Sequence, residues 1–155
     1  MNSKSISILL PVYNGEKFII EAINSIFVSS HQNFEIVLID DGSTDNTVPL
    51  INKYKDDRIH LYKKSNSGLV ETLNYGISKC KNEIIMRMDA DDRLHPSKME
   101  LQLSTFLKRN VVLMGTEAKI FTENNTTTTI GTTLSSGTTT GPASGADVDA
   151  AGERP

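Results

Sequence analysis

"FEIVLIDDGSTDNT", residues 34–47, carries a strand, a turn and a helix start in direct succession. Phe34 to Ile39 is an almost continuous run of β-branched and aliphatic residues, the composition of a strand covered on both faces. Asp41-Gly42 is a turn dipeptide. Ser43 and Asp45 are residue types that cap helices, and "STDNTVPLINKYKD" continues as a helix, with Pro49 tolerated only near its first turn. A buried strand feeding a helix through a short polar turn is the repeating unit of a parallel sheet.

Working outward, the same unit recurs. "SISILLPV" reads as a first strand. "GEKFIIEAINSIFVSS" follows with Phe18, Ile19, Ala22, Ile23, Ile26 and Phe27 at helical spacing. "RIHLYK" is a third strand. "GLVETLNYGISKC" is a third helix, with Leu69, Leu73 and Ile77 on one stripe. "NEIIMRMD" is a fourth strand. "PSKMELQLSTFLKR" is a fourth helix, with Met99, Leu103 and Phe106 predicted inward. "VVLMGTEAKIF" supplies a fifth strand. The alternation predicts an α/β/α sandwich: one mainly parallel sheet, strands near 6–12, 34–39, 59–63, 83–88 and 111–115, helices on both faces, right-handed crossovers.

The composition of the 155 residues, 37% hydrophobic with no Trp, suits one modest core. It changes abruptly at residue 122. Residues 122–155 contain no aromatic residue and half of the glycines. They hold Arg154 against Glu123, Asp147, Asp149 and Glu153, so residues 1–121 balance at 15 basic and 15 acidic groups and the tail carries the net −3. That balance gives no bulk attraction to nucleic acid. Thr, Gly, Ser and Ala at this density bury too little apolar surface to offset chain entropy. The expectation is a folded region over 1–121 and a low-complexity tail over 122–155, disordered or foreign to the fold, with short Thr-rich strands as the other outcome. The single Cys80 forms no internal disulfide. The N-terminus shows neither a signal peptide nor a membrane span, so a cytoplasmic protein is expected. His31, His60 and His95 lack ligand spacing and read as surface or helix-start residues.

In open parallel sheets ligands bind beyond the carboxyl ends of the strands. Here those ends read "PVYNGE", "DDGSTD", "KKSNSG" and "MDADD". Capping accounts for Ser43 and Asp45, less well for Asp40. It does not account for Asp89 and Asp91, because the next helix starts only near His95 and Pro96. If the strand continues, Asp89 and Asp91 point the same way and Ala90 the other. Two converging carboxylates repel unless a cation joins them. A divalent metal with oxygen ligands, open to phosphate, fits them, and so does a solvated acidic turn. Lys63 and Lys64 read as a solvated strand end, with phosphate steering as the alternative.

"ISILLPVYNGEKFIIEAINSI", "FEIVLIDDGSTDNT", "NSGLVETLNYGISKCKNEIIMRMDADD" and "HPSKMELQLSTFL" together resemble a family 2 glycosyltransferase of the GT-A fold, over about residues 5–117. The combination of "PVYN", "DDGSTD" and "DADD" carries the resemblance. It implies a Rossmann-like nucleotide-sugar-binding region. It implies nucleotide contacts from Pro11, Tyr13, Asn14, Asp40 and the adjacent Glu16, and from the Asn66–Gly68 loop, including Ser67 and Gly68. Asp89 would hold ribose and metal, and Asp91 the metal, Mn or Mg. The implied donor is a nucleotide-diphosphate sugar, UDP-linked, and the implied chemistry is inverting transfer to a hydroxyl on a glycan or lipid-linked acceptor, in polysaccharide or glycoconjugate synthesis. Peripheral membrane association would come from segments this chain lacks.

The resemblance fades near Phe121, and no tail residue matches the family's catalytic base. The chain thus reads as the donor half of the fold, truncated before the acceptor half. The alternative is a non-catalytic nucleotide-sugar-binding fragment. Rival enzymes fit less well: no Gly-rich, Arg-containing loop of a nucleotidylyltransferase and no G-x-G-x-x-G follows the first strand.

Overall fold

The structure, a computed structural model, describes residues 4–109, 112–115, 118–121, 127–130 and 134–135. The chain divides into two compact units, Met1–Leu103 and Ser104–Pro155.

The first unit is built on strands β1 (Ile6–Val12), β2 (Phe34–Asp40), β3 (Ile59–Lys63) and β4 (Ile84–Arg87). Every pairing is parallel, and the order is β3-β2-β1-β4. The chain therefore lays down β2 and β3 on one side of β1, then crosses to the other side for β4. β1 and β2 are buried at every residue, as their unbroken apolar runs require.

Helices cover both faces. Ile6, Ile8, Leu10 and Val12 point one way, with Ile36 and Leu38 beside them. Helix α1 (Ile19–Phe27) lays Ile19, Ala22, Ile23 and Ile26 on this face, and its i, i+3, i+4, i+7 spacing is why those four are buried. Ile51 of α2 (Thr47–Ile51) and Met99 and Leu103 of α4 (Lys98–Arg109) complete the cluster. Each such aliphatic side chain contributes about 1.5–3 kcal/mol by leaving water. The other face is thinner: Leu9, Val37 and Ile39 lie under α3 (Leu69–Ile77).

Helix α3 departs from the sequence reading. Leu69 and Ile77 are about half exposed, while Thr72 and Gly76 are buried. The cause is Gly76. A Cβ there would sit 2.3 Å from Leu9 Cδ1 and 3.0 Å from Ile39 Cγ1, so the missing side chain lets the helix backbone rest on the sheet. Turning that small face inward leaves Leu73 against the sheet cluster and moves Leu69 and Ile77 to the flank. Phe106 is half-buried rather than inward. His31 is also corrected: it is buried, its Nε2 3.0 Å from the Asn33 carbonyl oxygen.

The fifth strand is corrected as well. β5 (Leu113–Met114) lies in a separate antiparallel pair with β8 (Leu134–Ser135) instead of joining the parallel sheet. Its apolar run suggested a covered strand, but Val112 and Leu113 are exposed. β6 (Ala118–Phe121) pairs antiparallel with β7 (Thr127–Ile130). Two pieces of the Thr-rich stretch are therefore extended, in keeping with the β preference of Thr. The rest of the 122–155 tail expectation lies outside the described residues, as does the start of the fifth strand at residue 111.

Candidate functional site

The strand order reverses at β1, between β2 and β4. The carboxyl ends of β1 and β4 therefore flank the switch point, the place at which such sheets bind ligands. Three loops and an acidic turn occupy this end of the sheet.

The loop after β1 and the loop after β2 are stitched together reciprocally. The Asn14 amide donates to Ser43 Oγ (2.9 Å), Gly15 to Thr47 Oγ1 (2.8 Å) and Glu16 to Asp45 Oδ2 (3.1 Å). In return, Asn14 Oδ1 accepts the Thr44 amide (2.8 Å), and Glu16 Oε2 accepts the Asn46 amide and side-chain amide, both at 3.0 Å. Asn14 adopts φ 52°, a left-handed conformation that Asn tolerates better than most residues. Two of the predicted site residues, Asn14 and Glu16, thus spend side-chain acceptors on the neighbouring loop. Pro11 is buried within β1, and Tyr13, next after the strand, is 54% exposed.

Asp40 and Asp41 end β2 and differ in surroundings. Asp40 is 4% exposed and its Oδ1 accepts the Ser43 amide at 3.2 Å, so it fastens the Asp41-Gly42 turn. The cap position of α2 is Asn46, which makes no side-chain cap bond; Asp45, one residue earlier, takes the first helical amide, Thr47, on Oδ1 at 3.0 Å, and Ser43 serves the Asn14 amide rather than the helix. Asp41 faces the loop after β3. Its carboxylate accepts from Lys64 Nζ, from the Ser67 amide (3.0 Å) and from the Gly68 amide (3.0 Å). Burial would push the Asp41 carboxyl up, but the Lys64 ammonium, the two amides and Thr72 outweigh it and hold it below the ordinary range. Lys64 is therefore not the solvated strand end read from sequence. Asp41 and Lys64 are the two residues here that sequence reasoning missed; an acid-basic pair at adjacent strand ends was the available signal.

The acidic turn sits against the β1 loop. A Cβ on Gly15 would lie 3.7 Å from Ala90 Cβ. β4 ends at Arg87, and the Asp92 amide donates to the Asp89 carbonyl oxygen at 3.1 Å. Residues 89–92 thus form a tight turn, not the extended run on which their shared direction was argued. Asp89 makes a bidentate ion pair with Arg87, Nη2 to Oδ1 at 2.8 Å and Nη2 to Oδ2 at 3.1 Å, both side chains half exposed. Asp91 is exposed. Partial desolvation and the nearby Asp89 and Asp91 carboxylates push the Asp92 carboxyl above the ordinary range.

Among the described residues no group of three or more His, Cys, Asp or Glu side chains is arranged to hold a metal. A cation that takes only one or two ligands from protein would be held by Asp91, which is exposed, and by Asp89 in exchange for its pairing with Arg87. Mg²⁺ and similar hard cations bind through one or two carboxylates, with substrate phosphates and water completing the shell. Also among the described residues, no helix is long and apolar enough to cross a membrane.

A model of the family "Glycosyl transferase family 2" matches residues 7–143. An uncharacterized glycosyltransferase of Rickettsia conorii is 40% identical over 118 residues, 75% of this chain and 19% of the relative. One of Haemophilus influenzae is 39% identical over 116 residues, 73% of this chain and 46% of the relative. The chain thus spans less than half the length of these relatives. Among solved structures, Staphylococcus aureus TarS 1–349 in complex with UDP-GlcNAc superposes with a TM-score of 0.64 at 26% identity, over 68% of this chain and 32% of that one. The mannosyltransferase PcManGT of Pyrobaculum calidifontis, in complex with GDP-Man and Mn²⁺, shares the fold with a TM-score of 0.57 at 24% identity, over 64% of this chain and 31% of that one.

Proposed function

Because this chain belongs to glycosyl transferase family 2, we propose that the crevice at the carboxyl ends of β1 and β4 binds a nucleotide-diphosphate sugar, UDP-linked, as the donor for transfer to a hydroxyl. The observation that supports the reading is the meeting of the acidic turn 89–92 with the stitched β1 and β2 loops at the point where strand order reverses. TarS, which binds UDP-GlcNAc, supports the same donor class.

In this reading the nucleoside lies toward β2 and β3. Tyr13 offers a ring face to the base. Asp40, the acid at the end of β2, faces its N–H groups, with Pro11, Asn14 and Glu16 shaping the wall and Ser67 and Gly68 closing the ribose side. The diphosphate lies toward Asp89 and Asp91, which would hold Mn²⁺ or Mg²⁺. A cation there supplies charge stabilisation for the departing diphosphate. The acceptor hydroxyl oxygen attacks the anomeric carbon and gives up its proton to a general base outside residues 1–121, the bond from that carbon to the diphosphate breaks with its electron pair leaving on the nucleotide, and configuration inverts. The acceptor is a glycan or lipid-linked hydroxyl, in polysaccharide or glycoconjugate synthesis, and residues 1–121 act as the donor-binding region with 122–155 outside it.

Calorimetric titration of the full chain with UDP, GDP and ADP, each with and without Mn²⁺, tests the reading. Expected is binding of UDP that strengthens with the metal. Absence of binding to all three nucleotides sinks it. Binding of UDP-sugar with no transfer to any acceptor would favour the non-catalytic binding fragment.

A further inference from the structure

We infer that Lys64 is a positioning residue for the nucleotide site, its ammonium holding the Asp41 carboxylate and the loop 65–68 in one arrangement beside the crevice. The inference rests on the nucleotide-binding reading above. A lysine just past the end of a strand is ordinarily solvated. This one is 19% exposed at its side chain. Nζ donates to Asp41 Oδ1, to the Ser65 carbonyl oxygen (2.8 Å) and to Ser67 Oγ (2.5 Å), and lies 3.4 Å from Thr72 Oγ1. The three protons of an ammonium are thereby all used, within one loop and its two neighbours.

Asp41 completes the arrangement from below. Its Oδ1 takes the Ser67 amide and its Oδ2 the Gly68 amide. The backbone permits the close fit because Gly42, at φ 78°, has no side chain: a Cβ there would sit 2.9 Å from the Asn66 nitrogen. The loop is therefore seated on the turn after β2, and its outer side, Asn66, Ser67 and Gly68, is left exposed. Remove the ammonium and Asp41, 5% exposed, becomes a buried carboxylate without its cation. Such a charge is strongly disfavoured and draws water or moves outward. Either response releases the two amides and opens the loop. The β2–β3 ladder does not depend on this pair, so the sheet persists.

A binding site competent only in the closed arrangement loses apparent affinity in proportion to the fraction closed. If Lys64→Met leaves the loop closed about a tenth of the time, Kd rises about tenfold. Wild type and Lys64→Met, as full chains well below their melting temperatures, are to be titrated with uridine and with UDP plus Mn²⁺, and amide exchange followed by NMR. Expected are an equal rise in Kd for both ligands and faster exchange at Ser67 and Gly68, with Leu38 and Ile39 still protected. Lys64→Gln keeps a donor without the charge; a smaller rise is expected, and this variant carries the test if Lys64→Met does not fold. A folded variant with wild-type Kd for both ligands overturns the inference. So does a rise confined to UDP, which would make Lys64 a direct phosphate contact. If wild type binds no nucleoside diphosphate, the nucleotide reading falls and the positioning role falls with it.

Discussion

The two ends of the parallel sheet both carry polar clusters, and they are built differently. At the amino ends, Ser7 and Glu35 face each other across β1 and β2, both buried. Ser7 Oγ donates to Glu35 Oε1 (2.6 Å), which also accepts the Lys81 amide (2.8 Å), and the Asn82 amide donates to Ser7 Oγ (3.1 Å). His60 Nε2 is 3.4 Å from Glu35 Oε2, and Arg58 lies over Phe27 and Phe34 while pairing with Asp56. Charges there are matched by partners inside the fold. At the carboxyl ends the β1 and β2 loops are equally well bonded, yet the turn beside them gathers Asp89, Asp91 and Asp92 with Arg87 as the cation paired to Asp89. A polar cluster whose acceptors are used is architecture. Under the proposed function, the carboxylates of the turn at the switch point are the ones that a bound ligand would complete.

The largest expected effect breaks the amino-end cluster. Glu35→Ala strands the Ser7 hydroxyl and the Lys81 amide without their acceptor and should cost about 3 kcal/mol of stability, read as a denaturant midpoint. Nucleotide affinity of the folded fraction should not move. A variant that keeps its stability but loses UDP binding would reverse the roles assigned to the two ends.

The second sharpens the division of labour between adjacent acids. Asp40→Asn should weaken UDP binding by about 1.5–3 kcal/mol if its carboxylate meets the base, since that is the range for hydrogen bonds to charged groups. Asp41→Asn should weaken binding at least as much and also speed amide exchange at Ser67 and Gly68. Calorimetry on both variants decides the matter: unchanged affinity in Asp40→Asn leaves that residue with the Ser43 turn alone.

The third concerns the acidic turn. Asp91→Asn should remove the metal dependence of UDP binding, a loss of about tenfold or more by analogy with ligand-sphere substitutions. Uridine affinity should stay as it was. A drop in melting temperature with intact metal dependence would instead make Asp91 a cap.

The smallest effect is a pH dependence at the amino end. Hydrogen bonds from Arg58 hold the Asp56 carboxyl down at about 2 from an ordinary 3.8. A depressed carboxylate contributes stability that is complete above 3.8 and lost as pH falls toward 2. Asp56→Asn should flatten that part of the acid-unfolding curve. An unchanged curve between those pH values would remove the Asp56–Arg58 pair from the stabilising set.

The sequence by itself determined the alternation of strands and helices, the two buried central strands and the acidic strand ends, because hydrophobic period and turn chemistry are local properties. Family resemblance, carried by "PVYN", "DDGSTD" and "DADD", fixed the class of fold in the same way. Orientation was decided only by tertiary packing. The stripe of Leu69, Leu73 and Ile77 looked like the inner face of α3; Leu73 does pack on the sheet, but Gly76 allows a closer approach to Leu9 and Ile39 and leaves Leu69 and Ile77 about half exposed. Asp89 and Asp91 alternate on paper, but β4 stops at Arg87 and the chain turns. Asp40 and Asp41 are neighbours of one type, and only the position of the loop after β3 gives Asp41 a lysine and two amides while Asp40 takes a turn amide. Which neighbour a side chain meets depends on how elements distant in sequence come together, and no local pattern encodes that distance.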